Sequence, residues 1–73
     1  MKYNGHKNWN CWNVSLWLNN DEGLYRKYRS LIARHTRKQA AELMLSALNE
    51  CGIYETPDGA KYTKTAILLA MRG

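Results

Sequence analysis

Two histidines, two cysteines and six carboxylates are the residues with which this 73-residue chain could move protons, attack a carbonyl or hold a metal. Their spacing suits none of these tasks. Cys11 and Cys51 lie far apart with no CxxC and no clustered histidine, so neither a zinc site nor a disulfide framework is signalled. Both read as reduced, buried, small apolar residues. No Ser/His/Asp or Cys/His arrangement, Gly-rich phosphate loop or HExxH spacing occurs. His6 falls in an N-terminal arm, and His35 falls at an expected helix end, where a partly protonated imidazole suits the helix dipole. Catalysis needs groups that converge, and these are scattered. The expectation is a protein that is not an enzyme and that uses no metal and no cofactor.

The stretch "RKYRSLIARHTRK" offers a different chemistry. It contains Arg26, Lys27, Arg29, Arg34, Arg37 and Lys38, and no Asp or Glu occurs between Gly23 and Ala41. On a helix these cations lie opposite a Leu24, Tyr28, Leu31 stripe and form one exposed positive face. Such a face is either simply solvated or a docking surface for an anionic partner. Eleven Lys and Arg against six Asp and Glu give a net charge of +5 and a pI near 9.5, which favours polyanions or acidic protein surfaces. Lys and Arg alone supply affinity without sequence specificity. No RNP motif, GXXG loop, zinc finger or clear helix-turn-helix marks a nucleic-acid fold. The first expectation is therefore a protein or nucleoprotein partner with an acidic surface, and the alternative is direct, largely sequence-independent binding of DNA or RNA.

In "NWNCWNVSLWLNN" all three tryptophans fall within nine positions, threaded with asparagine. Indoles bury about 150–250 Å² each, so three would supply on the order of 500 Å² to a small core. A 73-residue chain hides only about 60% of the surface its unfolded form exposes, so it needs that area. The expected core is Trp9, Trp12, Leu16, Trp17, Tyr28, Leu31, Met44 and Leu48, with the amides facing water or tying the helix to its neighbours. The competing reading is a strand with exposed rings, which beside a basic face would make a stacking platform for single-stranded nucleic acid.

The elements that must position these residues are short. Asn8 caps a helix starting at Trp9, although partial alternation in "WNVSLWL" keeps a strand open as the alternative. "NNDEG" ends that helix and starts a second, with Asn20 or Asp21 as cap and Glu22 in the first turn, running to about Arg34 or His35. Thr36 and Gln39 fit a capping box for a third helix whose apolar residues cover more than half its circumference, which makes it the central one. Gly52 suits a left-handed helix stop, with Ile53 as its apolar companion. Pro57, Asp58 and Gly59 suit a turn between two short stretches that pair as a minimal β-hairpin around residues 53–62. Thr63 caps a last helix. The expected fold is mainly α: one domain over residues 1–73, three to four short helices with that hairpin, and residues 1–7 as a short arm. No apolar run approaches a membrane span and the N-terminus lacks a signal-peptide core, so a cytoplasmic protein is expected, monomeric or homodimeric.

The segment "YNGHKNWNCWNVSLWLNNDEGLY" with "GIYETPDG" downstream resembles a family of small uncharacterised proteins found in bacteria and their phages. The likeness rests on an N-W-x-x-W-N-V-x-L-W-x-x-N-D-x-x-L-Y motif and a T-P-D-G turn, covering residues 3 to 25 and 52 to 59. It implies a setting, a phage or other mobile element, and no established activity. By analogy with small phage proteins that act by binding one host component, it implies an accessory factor that modulates a host defence or nucleic-acid-processing machine.

Overall fold

Helix starts in this chain coincide with the residues able to satisfy orphan N–H groups. The structure, a computed structural model, describes residues 8–72 and holds four helices. The expected arm and His6 lie outside the described residues. Helix α1 spans Trp9–Asn20, and Asn8 Oδ1 accepts from Cys11 N at 2.9 Å. Helix α2 spans Glu22–Arg34, capped by Asp21 Oδ1 on Leu24 N at 3.0 Å. Asp21 also ends α1, its own N–H donating to Trp17 O. One residue thus makes the whole corner between two helices.

Helix α3, Arg37–Glu50, opens with a capping box: Gln39 N donates to Thr36 Oγ1 and Thr36 N to Gln39 Oε1. It stops in a Schellman arrangement, with Gly52 N on Asn49 O and Ile53 N on Leu48 O, and Gly52 takes a φ of 77°. Helix α4, Lys64–Arg72, is capped by Thr63 Oγ1, which accepts from Ala66 N at 3.1 Å.

The hairpin expected around residues 53–62 does not form. Among the described residues there is no strand, only a single antiparallel bridge between Glu55 and Lys61. Two stretches this short cannot sustain a ladder alone. The place of a neighbouring strand is taken by a side chain: Lys61 N donates to Asn10 Oδ1 at 2.7 Å, and Asn10 Nδ2 donates to Lys61 O at 2.9 Å. The loop is fastened to α1 and not to a sheet.

Helix α1 packs most extensively on α4, and α3 also leans on α4. The core cluster takes Cys11, Val14 and Leu18 from α1, Ala40, Ala41, Met44 and Leu48 from α3, and Ala66, Ile67, Ala70 and Met71 from α4. Tyr28, Met44 and Leu48 are buried and Leu31 packs partly buried against them. The tryptophan expectation needs correction. Trp9 is 40% exposed and Leu16 37% exposed, while Trp12 and Trp17 are half-buried. Helix α1 is apolar on nearly every side, so periodicity could not choose its inner face. Small and aliphatic side chains fill the seam with α4, and the indoles are left at its margins. Cys51, expected buried, is also exposed, because it is the residue that closes α3.

Candidate functional site

The asparagines of α1 act as fasteners. Buried Asn13 accepts from Thr56 Oγ1 at 2.6 Å and donates Nδ2 to Asp58 Oδ2 at 2.9 Å. The same Asp58 oxygen accepts from Trp17 Nε1 at 2.9 Å. Thr56 Oγ1 in turn accepts from Ala60 N at 3.0 Å, and Gly59 N closes the turn on Thr56 O. These bonds join the W-N-V-x-L-W segment to the T-P-D-G segment. Thr56 can face inward because a buried hydroxyl with both donor and acceptor functions engaged escapes the desolvation penalty. The two N–H donors, Asn13 first and then Trp17, hold the Asp58 carboxyl below the usual aspartate range. A carboxylate so engaged is a structural acceptor and not a poised base.

Farther along α1, Asn19 Oδ1 accepts from the Tyr28 hydroxyl, linking α1 to α2. Burial raises the Tyr28 pKa, Tyr25 adds to the rise, and Arg29 opposes it. Sequence reasoning missed Asn13, Thr56 and Asp58 as a unit. The signal was present in the pairing of two motif-bearing segments far apart in the chain, one offering amide and indole donors and the other a hydroxyl and a carboxylate.

The six expected cations are all exposed, but they do not have equal roles. Arg26 pairs with Glu22 one turn earlier on α2. Arg29 sits over the Tyr25 ring, 6.0 Å from its centroid, and that ring meets Tyr28 edge-on at 5.3 Å. Lys27 lines a small apolar hollow beside Met44 and Leu48. Arg37 turns away to donate Nε to Met71 O at 3.2 Å, joining the start of α3 to the end of α4. Lys38 lies one turn before Glu42, whose carboxyl is lowered first by the Lys64 ammonium at 2.9 Å. At 100° per residue Lys27 and Arg34 lie on one flank of α2, Arg29 on the other and Arg26 between them. These α2 cations wrap one side of the helix, an arc of about 160° opposite the Leu24, Tyr28, Leu31 stripe, while Arg37 turns toward α4.

Among the described residues no group of three or more His, Cys, Asp or Glu gathers as a metal site would require. His35 follows the last turn of α2, its N–H on Leu31 O, and is exposed. Among the described residues no helix is long and apolar enough to cross a membrane.

The model of the family described as "Family of unknown function (DUF7249)" matches residues 1–72. The chain belongs to this family. No curated protein and no solved structure matches it. Membership in DUF7249 spans both the asparagine-rich helix and the turn it braces, so the fasteners described above lie within the family's extent.

Proposed function

We propose that this member of DUF7249 is a non-catalytic binding protein that docks on an anionic macromolecular partner through α2 and the start of α3. The observation that supports this most is the run of exposed cations Lys27, Arg29, Arg34 and Lys38, none of them in an ion pair with another described residue, over a stretch lacking Asp and Glu. Cations left without internal carboxylates remain available to an outside anion, and steering by them speeds encounter with an acidic surface. The setting is that of a phage or mobile-element accessory factor in a bacterial cytoplasm. Its partner is a protein or nucleoprotein complex of the host with an acidic face, and binding modulates that complex. Arg37 supports the fold and stands outside the docking set.

The test is capture of partners from bacterial lysate by tagged protein, with and without nuclease, comparing wild type with the Arg29→Glu, Arg34→Glu double variant. A stoichiometric protein that survives nuclease and is lost with the variant is the expected result. Capture unaffected by the variant overturns the role of this surface. Recovery of nucleic acid alone favours the second reading, direct binding of DNA or RNA, whose affinity would fall about 10³-fold or more between 50 and 200 mM salt if six or more phosphates are contacted.

A further inference from the structure

A concave site of different character lies at the α1–α2 corner. A hollow of about 530 Å³ is walled by Trp17, Leu24, Pro57 and Tyr62, and its charged lining residues are Asp21 and Glu55, both acidic. No Lys or Arg lines it, although the chain carries a net charge of +5. The Asp58 carboxylate, outside the lining, accepts from Nε1 of the Trp17 indole that walls the hollow. Burial raises the Tyr62 pKa and the Asp21 charge raises it further, which places the phenol within reach of that carboxylate's field. The Glu55 carboxylate already attracts an ammonium: Lys61 Nζ stands 2.7 Å from Oε2, in an exposed pair that solvent screens and a competing cation can replace.

A second hollow of about 250 Å³ adjoins the first across a shared wall of Leu24 and Ile53; Met44, Ala47 and Leu48 line it, and Lys27 is its one charged lining residue. Ile53 on that wall is 41% exposed. Size, lining and charge together select an occupant. Aromatic rings flanked by carboxylates bind cations whose stems are apolar, and a planar guanidinium also stacks on an indole face. The adjoining apolar hollow accepts an aliphatic side chain from the same segment.

We propose that these hollows form a docking groove for a partner protein segment that places an arginine or lysine between Trp17, Tyr62, Asp21 and Glu55, with a neighbouring aliphatic side chain beyond Leu24 and Ile53. The site goes beyond the basic surface of α2, and its hollow at Trp17 has the opposite polarity. The chain thus has one surface for acidic partners and a groove for a basic segment, and the two meet at Lys27.

The test is ¹H–¹⁵N NMR of the full chain titrated with acetyl-Leu-Gly-Arg-Gly-Leu-amide and with the same peptide carrying citrulline, the neutral isostere of arginine. Saturable shifts at the Trp17 indole N–H, Gly23 and Ile53 are expected, with a dissociation constant on the order of 1 mM. The citrulline peptide should bind about 5-fold more weakly, and Glu55→Gln should remove most of that difference without changing the melting temperature. Asp21→Asn should weaken binding similarly, because asparagine keeps the cap of α2 while losing the charge. Equal binding of both peptides, or no shifts at these residues, overturns the proposal. Hexylguanidinium binding as tightly as the peptide would make this a site for free organic cations instead. The same shifts on raising protein concentration alone would mark self-association. Glu55→Gln should leave lysate capture by the basic wrap intact, and Arg29→Glu with Arg34→Glu should leave peptide binding intact, so failure of one site is distinguishable from failure of the other.

Discussion

Thr56 Oγ1 donates to Asn13 Oδ1 across 2.6 Å although 43 positions separate the two residues. The bond is buried, Thr56 Oγ1 also accepts from Ala60 N, and Asn13 donates through Nδ2 to Asp58 Oδ2. A turn that would be marginal in isolation is thereby braced by the first helix. The hydrogen-bond census also explains the helix's composition: Asn8 caps it, Asn10 pairs with Lys61 backbone, Asn13 holds the turn and Asn19 receives Tyr28.

Asn13→Ala leaves the Thr56 hydroxyl and one Asp58 bond unmade inside the fold. A buried polar group without its partner costs about 1–3 kcal/mol. For a domain of this size each kcal/mol lowers the melting temperature by about 4–8 °C. Thermal denaturation followed by circular dichroism measures this, and a drop below about 2 °C would show that the brace adds little.

Asp58 makes the fold acid-sensitive in a defined direction. Its carboxyl is lowered by Asn13 and then Trp17, so the folded chain prefers the deprotonated form more than the unfolded chain does. That stabilisation is fully present above the ordinary aspartate value, about 3.9, and is lost as pH falls through it toward the depressed folded value. Glu42, lowered by Lys64, acts with the same sign. Asp58→Asn should be less stable than wild type near neutral pH and should lose less on acidification. Melting temperatures at pH 7, 5, 4 and 3 test both halves of this statement.

Arg37 and Arg26 should separate under mutation. Arg37→Ala removes the bond to Met71 O that joins α3 to α4, and should cost about 0.5–1.5 kcal/mol. Arg26→Ala removes an exposed pair with Glu22 and should stay within about 0.5 kcal/mol of wild type. Urea denaturation of the two variants would rank them. The reverse order would remove Arg37 from the structural framework.

The two thiols should react at different rates. Cys51 is exposed after α3, whereas Cys11 is 5% exposed against α4. A colourimetric disulfide reagent should titrate one thiol promptly in native protein and the second only on addition of denaturant. Prompt reaction of both would contradict the packing of α1.

Gly52→Ala tests the stop of α3. A Cβ there meets nothing within 4 Å, so its cost is backbone strain at φ 77° alone, about 1–2 kcal/mol. Equal stability of the variant would mean that the helix end relaxes freely.

The helix starts were legible in the sequence because capping is local: Asn8, Asp21, Thr36 and Thr63 each bond an N–H three residues on. Gly52 was legible for the same reason, since only glycine enters the left-handed region at little cost. Tyr28, Met44 and Leu48 followed from helical periodicity, which selects a face wherever polar residues mark the other side. Tertiary structure decided the rest. Nothing local told α1 whether to bury its indoles or the Cys11, Val14, Leu18 side, and the seam with α4 made that choice. Spacing alone grouped Arg37 with the other cations of residues 26–38, yet its Nε bonds Met71 O at the end of α4. The pairing of Asn13 and Trp17 with Asp58, and the conversion of an expected hairpin into a loop fastened to Asn10, depend on bonds spanning more than forty positions, and no window of neighbouring residues contains both ends.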